Sequence, residues 1–116
     1  MYKILIFFLL LPINLGAGEI QIDKNYRDKI VSGIFIIEGG NKTKYLYGIK
    51  SVKTTNPKRV CEVTVENNYV RWQKAGKTND FINFLGNRYA PISDKDDKGK
   101  LNQFWIKNLQ KYLKNN

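Results

Sequence analysis

From Tyr26 to Glu38 the apolar positions keep a helical period: Ile30, Ile34 and Ile37 fall at i, i+4 and i+7, with Val31 and Phe35 on the adjoining stripe. Asp23 is placed to cap this helix, and Gly39-Gly40 supply a left-handed stop. The period is then lost. "NKTKYLYGIKSVKTTN", rich in Tyr, Thr, Val and Lys with Gly48 in its middle, predicts a short hairpin or irregular strand pair. Asn56-Pro57 announces a second helix, Asn as cap and Pro at the first helical position, running to about Ala75 and stopping at Gly76. Thr78 reads as the next cap, ahead of "NDFINFLGNRY" with Phe81, Phe84 and Leu85 inward and Gly86 near the stop. A charged loop, "APISDKDDKGK", leads to a last helix over residues 101–113, whose apolar side is Trp105, Leu109 and Tyr112/Leu113. The order predicts an α+β domain, mostly α, with a small β-hairpin lobe.

The second helix is apolar on two sides, through Cys61, Val65 and Trp72 on one stripe and Val60, Val63 and Val70 on another. Thr64, Asn68 and Arg71 form a narrow polar seam between them. Such a helix is wrapped by its neighbours, and its seam needs partners or a groove that exposes it to a ligand.

Before all of this stands "MYKILIFFLLLPINLGAG": one lysine, an unbroken apolar stretch, then small residues. That is the layout of a secretory signal over residues 1–18, with cleavage near Ala17 or Gly18. Its apolar core falls short of the ~20 residues a spanning helix needs. An uncleaved anchor is the alternative. Residues 19–116 then make a single exported domain with one modest core. The whole chain has 20 basic and 10 acidic residues, for a formal charge of +10. A basic exported domain suits an anionic partner such as a cell wall, a membrane surface or nucleic acid. The basic residues are spread out with no recognition motif, which argues against nucleic acid. The Lys-rich composition also fits an A+T-rich genome with no partner at all.

Composition restricts the chemistry further. With no histidine and a single cysteine, Cys61, the chain cannot assemble a zinc site or a Ser–His or Cys–His nucleophile. Cys61 is expected as a buried thiol rather than a link to a second chain. What is left is carboxylates, tyrosines, lysines and the backbone. Glu38 is the only acid between Asp28 and Glu62, and it ends an apolar run. A hairpin folded over the helix end would make a cleft wall with Glu38 at its floor. Desolvation by Ile36 and Ile37 would then let the acid keep its proton and pass it to a leaving group. The bland reading is a helix-end charge in water, or one paired with a lysine of "NKTK".

A glycosidase normally uses a second carboxylate, ~5–5.5 Å or ~6.5–9.5 Å away according to stereochemistry. Residues 39–61 hold no Asp or Glu, so a glycan-cleaving site here works with one acid, the substrate's own hydroxyl or acetamido group acting as nucleophile. Asp80 and the cluster Asp94, Asp96 and Asp97 are the remaining second acids, though a helix cap and a solvated loop also explain them. Tyr45, Tyr47 and Tyr89 each offer a flat face and a polar tip to a sugar. Gly48 between Tyr47 and Ile49 allows close approach of a ligand. Trp72 and Trp105 read as core.

The arrangement "IFIIEGG" at a helix end, "YLYGI" about ten residues on, then a buried helix, resembles the lysozyme-like lytic transglycosylases. "DFINFLGNRYAP" and "LNQFWIKNL" look like the C-terminal portion of small phage- and bacterium-associated members. The resemblance implies a lysozyme-like fold over residues 19–116. It also implies cleavage of the link between N-acetylmuramic acid and N-acetylglucosamine, leaving an anhydro end. It puts Glu38 as the acid, Tyr47, Gly48 and Ile49 on the segment lining the cleft, and Tyr89 as a cleft tyrosine. Arg71 would face the cleft. Peptidoglycan strands would be the partner of a monomer without metal, cofactor or nucleic acid, in the periplasm or outside the cell. Glu-Gly stands where many members have Glu-Ser, and the longer Gly-Leu-Met-Gln segment is missing. The competing expectation is a non-catalytic basic module that binds wall polymers or membranes.

Overall fold

The computed structural model describes residues 18–49, 54–90 and 100–116. Four helices, α1 (Lys24–Ile37), α2 (Pro57–Lys74), α3 (Phe81–Tyr89) and α4 (Lys100–Asn115), share one core. Two 3-10 turns, Gly40–Lys42 and Leu46–Gly48, lie between α1 and α2. The chain is therefore mostly helical, as the pattern predicts. The expected leader lies almost wholly outside the described residues, as do residues 50–53, Asp94, Asp96 and Asp97. Among the described residues no helix is long and apolar enough to cross a membrane.

α1, α2 and α3 begin where side-chain chemistry satisfies their first free N–H groups. The Asp23 carboxylate accepts from Tyr26 N at 3.0 Å, and Asn56 Oδ1 from Arg59 N at 3.1 Å, with Pro57 opening α2. α1 stops because Gly39 takes φ 106° and Gly40 φ 57°, which a side chain resists. α1 packs on α2 and α4, and α3 also packs on α2 and α4, so the helices close a ring. Ile30, Ile34, Cys61, Val65, Leu85, Trp105 and Leu109 fill it, each 0–1% exposed. Burying each Ile or Leu side chain contributes roughly 1.5–3 kcal/mol, so this cluster holds the helices together.

The α4 contacts depend on two small residues. A Cβ on Gly33 would come within 2.6 Å of Leu109 Cδ1, and one on Gly86 would collide with Ile106. Gly86, near the end of α3 as expected, is an interior residue that lets α4 approach. The stop comes three residues later, where Asn102 of α4 donates from Nδ2 to the Ala90 carbonyl at 2.7 Å and the Gly86 carbonyl at 3.1 Å.

Two expectations need correcting. Thr78 does not cap α3. Lys77 and Asn79 take φ 56° and 66°, so the chain cannot turn helical until Asp80, whose carboxylate accepts from Asn83 N at 2.9 Å. Nor is there a hairpin: among the described residues there is no strand. Gly39, Gly40, Tyr47 and Gly48 all have positive φ, which interrupts any extended run. The backbone groups bond locally instead, Lys42 N to Gly39 O at 3.1 Å and Gly48 N to Tyr45 O at 2.8 Å. The β preference of Tyr, Thr and Ile is a weak force without a partner strand.

Candidate active site

Glu38 is the C-cap of α1, its N–H donating to Ile34 O at 3.0 Å. Its side chain is half-buried, and Oε1 accepts a hydrogen bond from Trp105 Nε1 at 2.8 Å. A carboxylate at this end of a helix sits against the negative pole of the helix dipole. The bond from the indole offsets part of that penalty.

Trp105 is itself 1% exposed and stacks on Tyr89, with ring centroids 5.1 Å apart and an interplanar angle of 24°. The Tyr89 hydroxyl donates to the Tyr47 carbonyl at 2.5 Å and lies 3.6 Å from Cys61 Sγ. One line of contacts thus runs Glu38–Trp105–Tyr89–Tyr47. It ties the end of α1 to α4, to the end of α3 and to the second 3-10 turn.

Tyr47 takes φ 59°, unusual for a side chain of its size, and its ring packs on Phe35 with centroids 5.1 Å apart. The bond from Tyr89 and the contact with Phe35 hold that conformation. Gly48 (φ 71°) and Ile49 follow it, both buried. The segment after α1 therefore does fold back over the helix end, as a pinned 3-10 turn instead of a strand.

Burial pushes the Cys61 thiol up to about 12, against a smaller lowering by the Tyr89 hydroxyl, and the charges of Glu62 and Glu38 add to the rise. Burial first, then Cys61 and Glu38, raises Tyr89 well above the ordinary tyrosine value. Tyr47 is raised by burial, Cys61 and Glu62. At neutral pH all three stay protonated, so Tyr89 remains a hydrogen-bond donor. Cys61 is a buried free thiol, as expected.

The structure thus brings together Glu38, Tyr47 and Tyr89, with Gly48 and Ile49 adjoining. Tyr45 is 40% exposed, and Lys44 Nζ lies 5.8 Å from the centre of its ring. Arg71 lies ten residues beyond Cys61, about 15 Å along α2 at 1.5 Å per residue. Asp80 caps the far end of α3 from Tyr89, about 13 Å away by the same rise. Glu62 is engaged with Arg59 at 3.3 Å and Arg27 at 3.5 Å.

Ile36 does not desolvate Glu38: it is 56% exposed, while Ile37 is half-buried. Successive helical residues turn by 100°, so a carboxylate and the apolar residues just before it face different ways. The side chain that crowds the acid is Trp105, which the apolar stripe had marked only as core. A signal was present in the sequence, since a buried tryptophan needs an acceptor for its N–H.

Comparison of the chain with family models, with curated proteins and with solved structures gives no match in any of the three.

Proposed function

We propose that the chain is a peptidoglycan-cleaving glycosidase of the lysozyme-like type, a lytic transglycosylase with Glu38 as its single acid and base. The observation that supports it most is the Glu38 carboxyl group, half-buried at the end of α1, with Trp105 Nε1 fixing Oε1 at 2.8 Å. Beside it the pinned Tyr47-Gly48 turn supplies a rigid wall.

In this reading Glu38 gives its proton to the glycosidic oxygen as the bond from muramic C1 breaks, releasing N-acetylglucosamine with a free hydroxyl. The muramic C6 hydroxyl attacks C1, and Glu38, now a carboxylate, takes the hydroxyl proton. The product is a 1,6-anhydro ring. The enzyme returns to its starting protonation, and no water is consumed. A one-acid route suits the geometry, because Asp80 caps the far end of α3 and Glu62 is held by arginines. The substrate lies outside the cytoplasm, so the reading requires residues 1–18 to direct export.

Digestion of purified peptidoglycan by the exported form and by Glu38→Gln, with products read by mass spectrometry, tests this. Anhydro-muropeptides from the wild type and none from the variant are expected. Reducing ends would mean hydrolysis with a second acid. No products, with wall binding intact in both proteins, would leave a basic binding module and discard the enzyme.

A further inference from the structure

On sequence, Tyr89 is expected among the side chains that meet a sugar; the structure encloses it instead. It is 1% exposed, and one face of its ring stacks on Trp105 with centroids 5.1 Å apart. A ring so enclosed has no face to offer a ligand. Its backbone is fixed as well. Asn102 Nδ2 donates to the Gly86 and Ala90 carbonyls, at 3.1 and 2.7 Å, and so closes the end of α3 around it. The working part of Tyr89 is its hydroxyl, which donates to the Tyr47 carbonyl at 2.5 Å across 42 positions of chain. Burial holds that hydroxyl well above the ordinary tyrosine value, so at neutral pH it has a proton to donate.

The turn at the other end of the bond needs holding. Within it, Gly48 N donates to Tyr45 O at 2.8 Å and Ile49 N to Leu46 O at 3.2 Å. Tyr47 O receives its hydrogen from outside the turn, from Tyr89. Tyr47 and Gly48 are consecutive left-handed residues, at φ 59° and 71°. Gly48 takes that conformation freely. Tyr47 does not, because its Cβ crowds the backbone there, and a bulky residue keeps such a φ only when its surroundings impose it. Two contacts do so, the Tyr89 hydroxyl on its carbonyl and the Phe35 ring on its side chain, 5.1 Å between centroids. Ring packing tolerates many angles, whereas the hydrogen bond sets the direction of the peptide carbonyl.

We infer that Tyr89 is a positioning residue, whose hydroxyl latches the Tyr45–Ile49 turn in the conformation that walls the site beside Glu38 and does not itself touch the ligand. The consequence for glycan binding rests on the lytic transglycosylase reading; the latch does not. Tyr89 stands between two branches of one network. Its ring supports Trp105, which holds Glu38 Oε1, and its hydroxyl supports the turn. Tyr89→Phe keeps the first branch and cuts the second. It should therefore weaken glycan binding while proton transfer by Glu38 continues.

The test measures amide hydrogen exchange and turnover of purified peptidoglycan in the wild type, Tyr89→Phe, Tyr47→Gly and the double variant. In Tyr89→Phe the Gly48 and Ile49 amides are expected to exchange roughly tenfold faster relative to Ile34 in the core of α1, since one hydrogen bond no longer opposes local opening. KM should rise roughly 2–12-fold, the range that one neutral hydrogen bond supports, with kcat held within about twofold. Glycine takes positive φ without strain, so Tyr47→Gly lessens the need for a latch. Adding Tyr89→Phe to it should then change exchange and KM much less than in the wild-type background. Unchanged exchange at Gly48 and Ile49, an additive double variant, or a fall in kcat at constant KM would each overturn the latch, the last by showing the hydroxyl at work on the reacting groups. Should Tyr89→Phe alone fail to fold, recovery in the double variant supports the latch and continued failure overturns it. Faster exchange as expected, with no anhydro-muropeptides even from the wild type, would keep the latch and remove the role of Glu38.

Discussion

The indole N–H of Trp105 donates to Oε1 of Glu38 over 2.8 Å, joining side chains 67 positions apart in the chain. The bond is held at both ends, by the C-cap of α1 on one side and by the Tyr89 stack on the other. The contact fixes the direction of the Glu38 carboxyl group, which the proposed role as acid requires.

Trp105→Phe keeps an aromatic ring over Tyr89 and removes the donor. Loss of one such hydrogen bond is worth about 0.5–1.5 kcal/mol, or roughly 2–12-fold in rate if the bond orients the reacting group. A fall of that size in anhydro-muropeptide release is expected. Leu109→Ala, a core truncation one turn away, should lower the melting temperature while retaining activity below it. Equal activity loss in the two variants would show that only stability had been sampled.

Asp80→Ala should act on stability alone. The carboxylate caps α3 by accepting from Asn83 N, and losing such a cap costs about 1 kcal/mol. Chemical denaturation should show that cost, and peptidoglycan turnover should stay at the wild-type level. Loss of turnover with an intact fold would revive Asp80 as a second acid.

Alkaline pH should weaken the fold. Cys61 moves from 9.0 to about 12 on burial, so between these values the unfolded chain gives up a proton that the folded chain keeps. The stabilisation is complete below about pH 9 and is lost as pH rises towards about 12, on the order of 2–4 kcal/mol in all. Tyr89, also raised, acts in the same direction. Urea denaturation across this range should show the decline, with a shallower slope in Cys61→Ala. In the folded wild type, the thiol should not react with a thiol reagent at pH 8.

Gly86→Ala tests the close approach of α3 and α4. An added Cβ meets Ile106 and, at 3.3 Å, Trp105 Cε3. Overpacking of this kind costs about 1–3 kcal/mol. Because the displaced neighbour is Trp105, activity should fall as well, even at temperatures where the variant remains folded. Gly33→Ala, which presses on Leu109 and Tyr112 instead, should cost stability with a smaller effect on activity.

The sequence by itself determined the helices, through local causes that do not depend on distant residues. Asp23 and Asn56-Pro57 opened α1 and α2, Gly39 closed α1, and the spacing of Ile30, Ile34, Trp105 and Leu109 gave the buried faces. It also singled out Glu38, the one acid in a long stretch, and reduced the available chemistry by the absence of histidine.

Tertiary structure decided the rest. The β preference around Tyr45–Tyr47 yielded to a 3-10 turn, because the Tyr89 hydroxyl takes the Tyr47 carbonyl and Phe35 takes its ring. Gly86, near the end of α3, acquired its packing role once α4 lay across it. Trp105 acquired its acid, and Arg71 its repelling neighbour Arg88, only when distant helices met. Propensity and capping act within a turn or two of the chain, whereas burial and hydrogen bonding between helices depend on which faces come together. Glu38 was therefore legible from the sequence as a lone carboxyl group at a helix end, and the side chains that hold it were not.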